Sequence, residues 1–202
     1  MRYFTTVLAG GVLALAGLGA FRANAQDNFI FSMVPTGGTE ACIPKAKGRV
    51  TISPTLGLVE NMHVEASGLP PNTDFDLFVI QVPTAPFGLS WYMGDMLTDA
   101  NGVAVNDFIG RFNIGTFIVA PGAAPAPKVL NKPPFPDAST NLGKEGPVQL
   151  YHLGLWFDTP TDANQAGCGT VVTPFNSTHN AGVQILNTSN FSNNFGPLRH
   201  VE

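Results

Sequence analysis

Residues 62–80 read Met-His-Val-Glu-Ala-Ser-Gly-Leu-Pro-Pro-Asn-Thr-Asp-Phe-Asp-Leu-Phe-Val-Ile, and this run decides the fold class. Met62, Val64 and Ala66 alternate with His63 and Glu65, the period-two pattern of a strand with one buried face. Gly68-Leu69-Pro70-Pro71-Asn72-Thr73 then reverses the chain, because Gly and Asn tolerate positive φ and Pro cannot continue a ladder. Phe75 to Ile80 is apolar on both parities, which predicts a central strand covered on both sides.

Working outward, Val50 and Ile52 alternate with Arg49, Thr51 and Ser53. Further strands are expected at Asn28 to Val34, Val103 to Val105, Phe108 to Val119, Val148 to Phe157, Thr170 to Thr173 and Gly182 to Leu186. Thr98-Asp99-Ala100-Asn101-Gly102 is a tight turn. One short helix is expected, with Thr159 as its cap, Pro160 in its first position and Gly167 as its stop. About eight short strands with turn chemistry between them predict an all-β, antiparallel, immunoglobulin-like β-sandwich. The composition agrees: 22 Gly, 17 Pro and 15 Phe with only 12% charged residues suit short strands and turns better than helices.

Residues 120–147 are rich in Pro, Ala, Gly, Asn and Lys and have no period. Such a stretch inside a domain is expected to be a long Pro-rich loop over the sandwich or an insertion at a functional edge. A linker between two domains is the competing reading; neither half alone completes a sandwich.

The start of the chain combines Arg2, an apolar run from Val7 to Phe21 and Ala23-Asn24-Ala25. That is the order of a secretory signal peptide with its cleavage site, predicting a leader over 1–25 and a mature domain over 26–202. An uncleaved anchor is the rival reading, but Gly10, Gly11, Gly17 and Gly19 dilute the run. No other segment is long and apolar enough to span a bilayer, so no span is expected after cleavage. Removing Arg2 and Arg22 from 10 basic and 14 acidic residues leaves 8 − 14 = −6. A chain so poor in Lys and Arg is not built for nucleic acid, whose phosphates call for basic stripes. Export also gives the two cysteines a meaning: in an oxidising compartment Cys42 and Cys168 are expected to form one disulfide.

Leu69, Pro71, Thr73 and Phe75 stand at the spacing L-x-P-x-T-x-aromatic, and this stretch resembles the corner entering strand F of fibronectin type III and related immunoglobulin-like sandwiches. In that family the aromatic is usually Tyr, whose hydroxyl bonds back to the corner; Phe75 keeps the packing and lacks the hydrogen bond. More widely, the Gly-Leu-Pro-Pro-Asn-Thr corner, residues 86–92, the Thr-Asp-Ala-Asn-Gly turn, residues 152–157 and the 173–191 ending look like a group of secreted bacterial proteins of uncharacterised function. The resemblance implies a compartment and a fold, and it brings no activity and no site residues.

Nucleophile motifs fail on inspection. Gly88-Leu89-Ser90-Trp91-Tyr92 starts like a Gly-x-Ser-x-Gly elbow but places Tyr92 where the strained turn needs Gly. Reading Asp99-Ala100-Asn101-Gly102 as a calcium loop puts Leu97 at position one and Phe108 at position twelve, where carboxylates are required. His63 and His152 are the candidate metal ligands, since imidazoles from separate strands can converge on copper or zinc in an exported sandwich. Their spacing does not demand it, and solvated or hydrogen-bonded histidines are the plainer alternative. Trp91 and Tyr92, expected in a loop bounded by Gly and Pro, and Trp156 are the candidate ligand-binding residues: planar rings stack on a sugar or a partner protein. The plainer alternative there is core packing, since alternation would bury at least one of the adjacent pair Trp91 and Tyr92.

The sequence therefore leads to a secreted or periplasmic, non-enzymatic β-sandwich with a binding or structural role at the cell exterior and a carbohydrate or protein partner. No catalytic residue and no cofactor is assigned. A hydrolase with dispersed active-site residues and a periplasmic metal-binding protein are the alternatives.

Overall fold

The computed structural model describes residues 27–55, 57, 59–118, 148–175 and 178–202. The signal peptide expected over 1–25 and the Pro-rich stretch 120–147 lie outside the described residues. The chain forms ten strands in order: β1 (Phe29–Pro35), β2 (Lys47–Pro54), β3 (Glu60–Ser67), β4 (Phe75–Ile80), β5 (Ser90–Asp95), β6 (Val103–Gly110), β7 (Phe117–Ile118), β8 (Val148–Gln149), β9 (His152–Phe157) and β10 (Gln184–Asn187). Eight of them make one antiparallel sheet in the order β5-β4-β9-β10-β1-β2-β3-β6, while β7 and β8 pair separately.

The antiparallel all-β fold is as expected, and the strand order adds what the pattern did not contain. Two four-stranded halves, β5-β4-β9-β10 and β1-β2-β3-β6, are joined where Val34 and Pro35 pair with Asn187 and Leu186. Asn187 Nδ2 pins this seam by donating to Thr36 Oγ1 at 3.1 Å and to Gln184 Oε1 at 3.0 Å. The free ends of the sheet also approach each other. Asn106 Nδ2 on β6 donates to Asp95 O on β5 at 3.0 Å, and the Phe108 ring lies 3.0 Å from where a Cβ on Gly94 would sit. The result is a nearly closed eight-stranded sheet.

Alternation explains what fills the interior. Val50, Ile52, Met62, Val64, Ala66 and Ala104 from one half share a contiguous core with Phe75, Leu77, Val79, Leu153, Leu155 and Phe157 from the other. Each buried Val, Ile, Leu, Met or Phe side chain contributes about 1.5–3 kcal/mol on leaving water. As expected of a strand covered on both sides, every residue of β4 is buried: Phe75, Leu77 and Val79 lie in this core, and Phe78 and Ile80 lie in a second apolar layer on the opposite face.

Two polar devices shape the loops. Glu60 accepts from Phe112 N at 2.7 Å and from Asn113 Nδ2 at 2.8 Å, folding residues 111–116 back under the end of β3. Thr159 caps the helix α1 (Pro160–Gln165) by accepting from Asp162 N, and Gly167 leaves it with φ 78°. Cys168 follows directly and is bonded to Cys42, with Cα atoms 5.3 Å apart and a sequence separation of 126. The disulfide ties the loop between β1 and β2 to the end of α1.

Several expected boundaries move. Val103 to Val105 and Phe108 onward are one continuous strand, β6, that stops at Gly110; of the rest of the expected Phe108 to Val119 strand, residues 111–118 are a turn followed by β7, and Val119 lies outside the described residues. Val148 to Phe157 is split between β8 and β9 because Leu150 N turns to Thr116 O at 3.1 Å. Thr170 to Thr173 keeps only the bridge between Thr173 and Ala181. β5 stands where a loop around Trp91 and Tyr92 was expected.

Candidate functional site

The outward-facing residues of β4 and β9 build a second, smaller apolar layer. Phe78, Ile80, Trp156 and Ala181 are buried there, and Phe87 and Phe175 from the loops after β4 and after α1 cover them. The rings interlock edge-on or tilted: Trp156 lies 5.4 Å from Phe78, 5.0 Å from Phe87 and 5.1 Å from Phe175. Such pairs add about 0.5–1.5 kcal/mol each beyond their area. Gly154 makes room for the indole, since a Cβ there would come within 2.3 Å of Trp156 Cζ3.

β5 borders this layer. Its pairing with β4 slips between Leu77 and Phe78: Leu77 faces Gly94 and Phe78 faces Tyr92, leaving Met93 as the extra residue. A bulge of this kind bends an edge strand and re-aims its side chains. Tyr92 rests against Phe78 with centroids 5.5 Å apart, and its hydroxyl donates to Asp95. Trp91, opposite Val79, points to the other face. The expectation that alternation would bury one of the pair fails, because β5 is the outermost strand and neither face is fully covered. Trp91 remains 60% exposed and Tyr92 41%.

The electrostatics of this edge are acidic. Burial first, and then the bond to Asp95, pushes the Tyr92 phenol well above its ordinary range, with Asp76 and Asp74 adding to the effect. Asp74 is itself raised, by burial and then by Asp95. Tyr92 is therefore a neutral hydrogen-bond donor at any physiological pH.

The other sequence-derived residues are placed elsewhere. Trp156 is fully buried, so it offers no surface to a ligand and instead supports the layer under Tyr92. His152 is also fully buried, with Nδ1 2.9 Å from Thr188 Oγ1 and Nε2 3.2 Å from Asn193 O. Burial lowers its pKa, and both ring nitrogens are used in holding β9 to the chain after β10. His63 lies on the outer face of β3, with Nδ1 3.0 Å from Asp107 Oδ1 and Nε2 3.4 Å from Glu65 Oε1. Those carboxylates, Asp107 first, raise its pKa against a smaller effect of burial. The two histidines thus have separate partners and do not meet in one site. Among the described residues, no three or more His, Cys, Asp or Glu side chains are grouped so as to hold a metal ion.

Sequence reasoning missed Phe78, Phe87 and Phe175 as the support beneath the edge, and Asp95 as the partner of Tyr92. The signal within reach was Asp95 itself, three residues beyond Tyr92; the covering phenylalanines come from distant loops that no local pattern connects.

Fold and edge together define the class: a disulfide-linked, antiparallel β protein presenting an aromatic edge strand on a packed aromatic base. No protein-family model matches the chain, and no curated protein matches it.

Proposed function

We propose that this is an exported, non-enzymatic binding protein that works at the cell exterior and recognises a carbohydrate along the β5 edge. The observation that carries the reading is the exposure of Trp91 beside Tyr92 on an ordered strand. A solvent-facing indole with no packing duty is a binding-type feature, since Trp and Tyr dominate recognition surfaces. The C–H face of a sugar ring stacks on such rings, and Asp95 stands beside Tyr92 to accept sugar hydroxyls. Export is supported by the leader-like start of the sequence and by the Cys42–Cys168 disulfide, a bond that persists in oxidising compartments. Among the described residues no helix is long and apolar enough to cross a membrane.

The test is a glycan array with the mature protein, followed by titration of any hit against Trp91→Ala and Tyr92→Ala. Retained affinity in both variants, or an array without hits, counts against the reading. Recovery of Met1 on protein isolated from the cell envelope counts against export by cleavage.

A further inference from the structure

On the outer face of β1, β2 and β3 lies a trough of about 510 Å³ whose side-chain lining includes Ile30, Ser32, Lys47, Arg49, Glu65 and Ser67. That falls within the range of about 300–1,000 Å³ typical of small-molecule sites. The registers create it. Arg49 pairs with Ser32 on one side and Glu65 on the other, and Lys47 pairs with Ser67, so these side chains form two adjacent rows on one face.

The donors in these rows have nothing to donate to. Among the described residues, neither Lys47 nor Arg49 takes part in an ion pair. The hydroxyls of Ser32 and Ser67 have no hydrogen-bond partner there either; only the Ser32 carbonyl is engaged, by Asn190. In a chain with 10 basic against 14 acidic residues, two neighbouring unpaired cations concentrate positive potential where most of the surface is negative. Glu65, directly across from Arg49, opposes them, but its Oε1 is 3.4 Å from His63 Nε2, and a protonated His63 offsets its charge.

We propose that this trough binds a small organic dianion, a dicarboxylate, with Lys47 and Arg49 each taking one carboxylate and the hydroxyls of Ser32 and Ser67 donating to them. Two residues along a strand are about 6.8 Å apart, which matches two anionic groups joined by a short chain better than one. Arg49 supplies the planar fork that engages a carboxylate through two N–H donors, Lys47 a point charge, and Ile30 an apolar wall for the methylenes between. The site is independent of the β5 edge and stands or falls separately from it.

Adipate is the probe, titrated into the mature protein by isothermal calorimetry and by amide chemical shifts, with acetate and inorganic phosphate as single-anion controls. Saturable adipate binding is expected, with shifts at Ser32, Arg49 and Ser67 and an affinity about tenfold or more above either control. Lys47→Gln and Arg49→Gln each weaken it about tenfold, and Trp91→Ala leaves it unchanged. His63→Gln, which leaves Glu65 unneutralised, weakens it at pH 6 and has little effect at pH 8.5. Three results overturn the proposal: adipate binding no better than acetate or phosphate, including no binding at all; shifts mapping to another face; or affinity surviving both charge removals. Lys47, Arg49 and Trp91 are exposed and His63 is half-exposed, so misfolding does not obscure the outcome.

Discussion

Replacing Gly154 with alanine probes whether the outer aromatic layer is as tightly packed as its ring distances imply. Gly154 sits in β9 between Phe78 and Asn187, and its missing side chain is overlaid by the indole of Trp156. A Cβ would come 2.3 Å from Cζ3, 2.6 Å from Cη2 and 2.6 Å from Gln184 Nε2, all more than ~1 Å inside van der Waals contact. The indole cannot swing away, because Phe78, Phe87 and Phe175 enclose it at 5.0–5.4 Å. Overpacking of this kind costs about 3 kcal/mol, a loss of roughly 6–12 °C in Tm for a domain of this size. The decisive measurement is a double-mutant cycle by urea unfolding. Trp156→Leu removes Cζ3 and Cη2, so Gly154→Ala in that background is expected to be near neutral, giving a coupling of about 2–3 kcal/mol. Additive effects within ~0.5 kcal/mol would refute the packing argument, because the clash would then lie with the backbone or with Gln184 alone.

Other expectations are cheaper to check. Replacing Cys42 and Cys168 by serine opens a constraint spanning 126 residues; the chain-entropy relation puts the loss at up to about 5 kcal/mol, and a urea midpoint unmoved by dithiothreitol would contradict it. Glu60→Ala leaves Phe112 N and Asn113 Nδ2 without their acceptor in a buried corner and is expected to cost about 2–4 kcal/mol, with Glu60→Gln costing less. His63 has a folded pKa above its ordinary 6.5, so its contribution to stability is full below that value and fades as pH rises through the folded pKa; Asp107 lies below its ordinary 3.8, so its contribution is lost only in acid. An NMR titration placing His63 below 6.5, or one unchanged in Asp107→Asn, would remove this clamp from the account. Iodide is expected to quench Trp91 and spare Trp156, and Trp91→Phe to abolish the quenchable component.

Most of the sheet was legible because burial on one face imposes period two on the residues that cause it. β2 and β3 announce themselves through Val50, Ile52, Met62, Val64 and Ala66, and β4 through apolar residues on both parities. The helix was legible for a different reason: Thr159, Pro160 and Gly167 act within one short segment, so local chemistry suffices. β5 was not. Its bulge and its outermost position erase the alternation, and Gly88 just before it and Gly94 within it look like loop punctuation. Closure of the sheet was equally invisible, since the pairing of β1 with β10 joins residues some 150 apart in sequence and no local pattern names a partner.

The two tryptophans separate what the fold requires from what it does not. Trp156 is fully buried, braced by three phenylalanines and accommodated by a glycine, so its ring is held by packing within the fold. Trp91 has none of these supports. Sixty per cent of it faces solvent on an outermost strand, where a large apolar ring gains little from burial and presents an adhesive surface. Truncating it is expected to change stability by no more than about 0.5 kcal/mol. A bulky side chain that folding does not need is best accounted for by what it touches outside the molecule, and for that reason the β5 edge, rather than the better-packed Trp156, carries the functional proposal.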